Sequence, residues 1–383
     1  MADKQVFLNW IRGGNTEYMP IMFGGTKSVV ASYLQLPVDQ LDNTRLEYEA
    51  EKLGIEITNS LGCITLLDMI PYCSDIRDES KSDTKPDGTI RTIRTISTPR
   101  GVMQEIRDKP LTYEAGPLEC FVKSEEDLPA FEYFIRTAVD AMLTNPKVHE
   151  DLFRQASARK CSMSDRAATV WSFWTPCFEL TCTNFMMPDT AIYLLYDYPD
   201  LMEDLMKLLW EKDRQLILPL GLELDADLYL TAINGLEWYS PELYEQYMTP
   251  QGKQTFDWIR QNDRLSWLHT CGKMNKLVET GVYDIIRPDI LESFSTPPLG
   301  DVADLRQARR RLGDCVVTKG GINVEVLYAG TPEEVRAHVR NIAEATRGYR
   351  HIIGDTNSHF YGDPPDNILA LIDEVHKQRP KFE

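Results

Sequence analysis

The sequence predicts an α/β chain folded as a (β/α)8 barrel. Three observations carry that prediction. Eight short apolar runs of strand length alternate with longer segments of helical period. Capping signals mark helix starts where the alternation calls for them. No Gly-x-Gly-x-x-Gly follows any candidate strand, so the usual mark of an open dinucleotide-binding sheet is missing.

The eight candidate strands are Met19–Phe23, Cys63–Asp68, Ala168–Trp174, Ala226–Thr231, Leu265–His269, Asp289–Phe294, Cys315–Lys319 and Arg350–Gly354. Leu201, Leu205, Leu208 and Leu209 share one face of a helix beginning near Pro199. Ser240 precedes Pro241 and Glu242, a capping serine before a proline at the first helical position. Thr331-Pro332-Glu333-Glu334 has the form of a capping box. The reading is one barrel domain over residues 1–383, with an insertion at about 70–165 between strands two and three.

Within the insertion, Asp78–Asp87 is polar and charged. After it, Ile90, Ile93 and Ile96 recur every third residue, which is neither the strand period nor the helical one. Dense β-branched content still favours extended chain. Pro99-Arg100-Gly101 supplies a turn, and Val102–Ile106 returns as a second strand, giving a β-hairpin expected near the barrel mouth. Asp127–Lys160 reads as helical.

Composition narrows the class. The 383 residues are 43% hydrophobic and 26% charged, as in a globular chain, and the formal net charge is −18. Nucleic acid or an anionic membrane surface as main partner would need a basic face, so neither is expected. The N-terminal Met1–Phe7 is polar and no apolar run approaches the roughly 18 residues of a membrane span. Eight scattered cysteines fit a reduced interior, so the expected location is cytoplasmic. No segment marks an oligomeric interface.

In a barrel of this kind the chemistry lies at the C-terminal ends of the strands. Strand five ends in His269-Thr270-Cys271-Gly272. Residues i and i+2 of a strand face the same way, so the imidazole of His269 and the thiol of Cys271 project side by side. Both are preferred zinc ligands, and a catalytic zinc takes three protein ligands with one position open. Asp355 and His359 follow strand eight, and Glu292 lies on the strand next to His269; any of the three can complete the set. Cys177 and Cys182 are a more distant source, while Cys315 opens strand seven at the wrong end. Other candidates at the mouth are Phe173 and Trp174 as an apolar wall, Asn234 and Glu237 to orient substrate, Lys319 either to neutralise a carboxylate or to pair with Glu292, and Asn323 to bind substrate. Glu292 is also placed to bind substrate.

Several of these segments together resemble the uroporphyrinogen decarboxylase superfamily, whose members include cobamide-dependent methyltransferases. The resemblance is carried by His269-Thr-Cys271-Gly272, Lys319-Gly-Gly-Ile-Asn323, Gly330-Thr-Pro-Glu-Glu-Val335, Pro365-Asp-Asn-Ile368 and Leu236–Pro241. It covers most of the chain and is densest from about residue 165 onward. It implies a (β/α)8 fold, with His269 and Cys271 on zinc and a corrinoid carried by a partner protein. Two departures refine it. True uroporphyrinogen decarboxylases carry an arginine-rich Arg-Gln-Ala-Gly-Arg segment near the N-terminus, whereas Ile11–Pro20 here has a single arginine. Methyltransferases acting on coenzyme M have a third zinc-binding cysteine after strand eight, whereas this chain has Gly354-Asp355-Thr356. The insertion is more similar to that of corrinoid O-demethylase systems. The expected activity is zinc-dependent methyl transfer between a small methylated substrate and a protein-bound corrinoid. The alternatives are a metal-free decarboxylase using Lys319 or a histidine, and a non-catalytic corrinoid- or tetrapyrrole-binding protein.

Overall fold

A computed structural model describes residues 4–13, 19–109, 116–162, 165–181, 185–233, 236–270, 272–297, 300–356 and 362–378. The chain forms two compact units: Met1–Gly62, Ser157–Ser172 and Asp225–Glu383 make the first, and Cys63–Ala156 with Phe173–Leu224 the second.

The helices in chain order are α1 (Lys4–Ile11), α2 (Thr26–Leu34), α3 (Asn43–Leu53), α4 (Leu128–Thr144), α5 (Pro146–Cys161), α6 (Pro176–Thr181), α7 (Pro188–Asp197), α8 (Pro199–Lys212) and α9 (Leu218–Glu223). They continue with α10 (Pro241–Tyr247), α11 (Thr249–Gln261), α12 (Asn275–Thr280), α13 (Val282–Ile286), α14 (Leu305–Leu312), α15 (Val324–Ala329), α16 (Pro332–Ala345) and α17 (Pro365–Gln378). The strands are β1 (Thr58–Cys63), β2 (Arg77–Thr84), β3 (Ile90–Thr98), β4 (Gly101–Lys109), β5 (Pro117–Glu119), β6 (Ala168–Trp174), β7 (Leu228–Ile233), β8 (Leu265–Thr270), β9 (Ile290–Ser293), β10 (Val317–Ile322) and β11 (His351–Asp355).

Seven strands form one sheet in the order β1-β6-β7-β8-β9-β10-β11, and the registered pairs from β7 to β11 are parallel. The extended residues 19–23 supply the eighth stave. On one side Met22 N donates to Ile353 O at 2.9 Å and Ile353 N to Pro20 O at 2.9 Å; on the other, Glu56 N donates to Ile21 O at 2.7 Å. The sheet therefore closes on itself, as the alternation of strands and helices predicts. β9, β10 and β11 are buried along their whole length, the mark of strands covered on both faces.

The barrel interior is a plugged core rather than a pore. Phe7, Leu8, Trp10 and Ile11 of α1 pack with Met22, Val170, Leu228, Leu265, Trp267, Ile290, Val317 and Ile352 from the staves around them. Lys4 pairs with Asp227 at 2.8 Å, and the same Asp227 oxygen accepts from Thr169 N and Oγ1 at 2.8 Å each. Asp289 does the same for Ser266 N and Oγ at 2.8 and 2.6 Å. These carboxylates precede β7 and β9 and pin the starts of the strands beside them.

Six of the eight expected strands are found within a few residues of their predicted bounds, and residues 19–23 take the predicted place of the first. The second is a correction. The strand lies at Thr58–Cys63, and residues 66–72 form a 3-10 helix instead. Thr65 starts that turn, donating from N and Oγ1 to Asp68 Oδ2 at 2.8 and 2.9 Å. Leu66, Met69 and Ile70 are then buried at helical spacing. The capping signals at Ser240 and Thr331 are present, with Leu243 N donating to Ser240 Oγ at 3.2 Å and Thr331 N to Glu334 Oε2 at 2.7 Å. In α8 the buried stripe is Met202, Leu205, Met206 and Leu209; Leu201 and Leu208 sit at its margins.

The second unit carries the insertion. The expected hairpin is part of a four-stranded antiparallel sheet, β2-β3-β4-β5, in which most of the polar, charged stretch before it supplies β2. A three-residue repeat in a two-residue geometry sends successive isoleucines to opposite faces. Ile93 thus faces away from Ile90 and Ile96; of the two that share a face, Ile96, paired with Met103, is buried, whereas Ile90 at the open end of β3 is exposed. Asp108 accepts from Arg91 Nε and Nη2 at 2.8 and 2.9 Å, and Asp78 accepts from Arg94 Nε at 2.9 Å. α4 and α5 fill the region read as helical.

Candidate active site

Four adjacent staves each carry one polar residue of a connected group. His269 stands near the end of β8, Glu292 on β9, Lys319 on β10 and Asp355 at the end of β11. Register places His269 and Lys319 both opposite Glu292. His269 Nδ1 contacts Glu292 Oε1, and Lys319 Nζ lies 2.6 Å from Glu292 Oε2 and 3.3 Å from Asp355 Oδ1. Gly24 N closes the group, donating to Asp355 Oδ1 at 2.9 Å and Oδ2 at 3.1 Å.

Burial and charge determine how the group behaves. Burial alone would raise the Glu292 carboxyl, but the Lys319 ammonium and the His269 ring outweigh it and hold it at about 2. Burial would lower Lys319, yet the two carboxylates raise it above its ordinary value. Glu292 is therefore an ionised acceptor at both oxygens, and the proton shared with His269 belongs to Nδ1. The Lys319 ammonium also lies 5.6 Å from the centre of the Trp267 ring, which faces the same way as His269 on β8. Gly320 lets β10 run this close to β9, because a Cβ there would stand 2.5 Å from Ser293 O at a φ of +129°.

The other sequence candidates take varied places. Glu237, in the turn after β7, accepts from Lys273 N at 3.4 Å and so lies against the loop that follows His269. Asn323 caps α15, its side chain accepting from Glu325 N at 2.8 Å. Phe173 and Trp174 end β6 and fall in the second unit; Phe173 is buried. Asn234, Cys271 and His359 lie outside the described residues. Among the described residues, no three His, Cys, Asp or Glu side chains gather as a metal-binding group.

The donor chemistry at the β8 tip nevertheless fits zinc. His269 is partly exposed, with a side chain 29% accessible, and its Nδ1 is fixed by a buried carboxylate. That is the arrangement in which a histidine binds metal through Nε2. Asp355 fits less well as a ligand, since Lys319 and Gly24 already engage it. The Lys319–Glu292 pair is one of the two roles expected of that lysine, whereas Trp267, the Gly24 amide and the second bond of Lys319 to Asp355 have no counterpart in the sequence reading. The i, i+2 spacing of Trp267 and His269 was the one available signal.

A family model described as uroporphyrinogen decarboxylase (URO-D) matches residues 118–378. The uroporphyrinogen decarboxylase of Thioalkalivibrio sulfidiphilus is 39% identical over 75 residues, 19% of this chain and 21% of that protein. That of Cupriavidus necator is 37% identical over 84 residues, 21% and 23% of the two chains. The chain thus spans about a fifth of the length of these relatives. A methyltransferase from Methanosarcina mazei shares the fold at a TM-score of 0.60, with 98% of each chain covered and 12% identity. No described helix is long and apolar enough to cross a membrane. The family match spans more than half the chain, and on that basis this protein belongs to the uroporphyrinogen decarboxylase family.

Proposed function

We propose that the protein is a zinc-dependent methyltransferase that moves a methyl group between a small methylated compound, a methyl ether in the first instance, and a corrinoid on a partner protein. The observation that supports this most is the partly exposed histidine at the β8 tip, oriented by a buried glutamate and followed at i+2 by a cysteine. In this reading His269 and Cys271 hold the metal, and His359 is better placed by its chemistry than Asp355 to complete the set. Zinc there would act as a Lewis acid on the heteroatom bearing the methyl, making it a better leaving group. The protein's own part is positional: Glu292 orients His269, and Glu237 and Asn234 orient the substrate beside the β8 loop.

A decarboxylase reading needs a cation facing the substrate carboxylate. Lys319 is only 1% exposed and paired with two carboxylates, so it does not supply one. The deciding experiment measures metal content first, then methylcobalamin formed from cob(I)alamin and a panel of methyl ethers, methylamines and methyl thioethers. One zinc per chain, lost in His269→Ala and Cys271→Ser together with methyl transfer, supports the reading. A folded, metal-free wild-type protein overturns it. Carbon dioxide release without corrinoid would favour the decarboxylase, and corrinoid binding without turnover a binding protein.

A further inference from the structure

Lys319 has the look of a catalytic residue in sequence, being a lysine before two glycines at a strand end. Its surroundings give it a different job. Its side chain is sealed from solvent, and its ammonium sits between Glu292 Oε2 at 2.6 Å and Asp355 Oδ1 at 3.3 Å. Trp267 covers it on a third side. Asp355 is itself held by the Gly24 amide at 2.9 Å, so the lysine has a fixed anchor on one side. On the other side Glu292 has one oxygen toward Lys319 and the second toward the ring of His269, whose side chain is the most exposed of the four.

We propose that Lys319 is a positioning residue: acting through Glu292, it fixes the His269 ring in one orientation with the proton on Nδ1 and the lone pair on Nε2. A buried carboxyl without its ammonium partner would turn away from the ring or take up a proton and donate to Nδ1 instead, and either change would release the tautomer. With Oε2 tied to the ammonium, Oε1 is left to accept from Nδ1. His269 then carries its lone pair on Nε2, the form that can bind a metal through that nitrogen. The tautomer claim stands on the geometry alone, while its consequence for zinc rests on the methyltransferase reading.

The test uses ring-nitrogen NMR of the full metal-free chain at neutral pH, with the His269 signals assigned by their loss in His269→Ala. Wild type should show the Nδ1-protonated tautomer. Lys319→Met and Glu292→Gln should each shift His269 toward the other tautomer or a mixture, and Lys319→Arg should retain most of the wild-type signal. Zinc affinity, by competition with a chelator, should fall about 10- to 100-fold in Lys319→Met and be largely rescued in Lys319→Arg. A wild-type His269 protonated on Nε2, or a folded Lys319→Met with an unchanged tautomer, overturns the proposal. If Lys319→Met does not fold, the wild-type tautomer and Lys319→Arg still decide it. A wild type with the Nδ1 tautomer and no zinc affinity supports the positioning role and removes the metal reading instead.

Discussion

His269, Glu292, Lys319 and Asp355 show how far residue identity alone can be read. A histidine and cysteine two apart at a strand end are expected to share a face, because side chains alternate along a strand. The pairing of Lys319 with Glu292 on the next strand could be read as one of two roles for the lysine, whereas its second partner, Asp355, could not, because that contact depends on barrel register. Asn323 illustrates the converse, a polar residue at a strand end whose side chain caps a helix. The buried pair also makes a definite energetic expectation. Glu292→Gln leaves the Lys319 charge short of a partner and should destabilise the fold by about 3–5 kcal/mol, whereas the double change Glu292→Leu with Lys319→Met should cost much less. Chemical denaturation of the single and double variants measures this. Because the Glu292 carboxyl is held below its ordinary value, its contribution is present above about pH 4.5 and is lost as pH falls toward about 2.

At the level of elements, the second unit holds a cluster with the opposite pH behaviour. Lys212, at the end of α8, pairs with Glu179 of α6 at 2.7 Å and with Asp213 at 3.2 Å, and all three are at least 97% buried. Asp213 opens a π-helical turn, residues 213–217, between α8 and α9. One ammonium faces two carboxylates. Burial, reinforced by Glu179 and opposed by Lys212, raises the Asp213 carboxyl from its ordinary 3.8 to about 7. A raised carboxyl favours the folded state below its ordinary value, and that advantage is lost as pH rises to about 7. Stability should therefore drop by about 2–4 kcal/mol between pH 4 and pH 7 on account of this group. Asp213→Asn should abolish that slope and be more stable than wild type at pH 8, as read by denaturant midpoints across pH. None of this was legible beforehand, since Glu179 and Lys212 are 33 residues apart. The insertion sheet was half legible: its β-branched strand showed, but β2 is polar and wholly exposed, so no apolar alternation marked it. The same absence of pattern misplaced the strand at Thr58–Cys63.

For the molecule as a whole, the barrel was legible because buried parallel strands need continuous apolar runs, and seven of the eight runs are where staves are found, the exception being Cys63–Asp68. What the pattern did not reveal is how tightly the last stave meets the first. Gly354 has no room for a side chain: a Cβ would stand 2.2 Å from Met22 O. Gly354→Ala should therefore push β11 away from residues 19–23, lower the melting temperature by several degrees and weaken the group around Asp355. A thermal melt alongside the His269 NMR signal checks both effects.

Closure of the barrel also anchors the polar group. The Gly24 amide and the Asp355 carboxylate that it holds are 331 residues apart in sequence. Only where the first stave meets the last does Asp355, the second carboxylate of Lys319, receive the Gly24 amide. Opening the ring between residues 19–23 and β11 would take the Gly24 amide away from Asp355 and loosen the anchored side of the group around Lys319, so the polar group and the closure of the barrel stand or fall together.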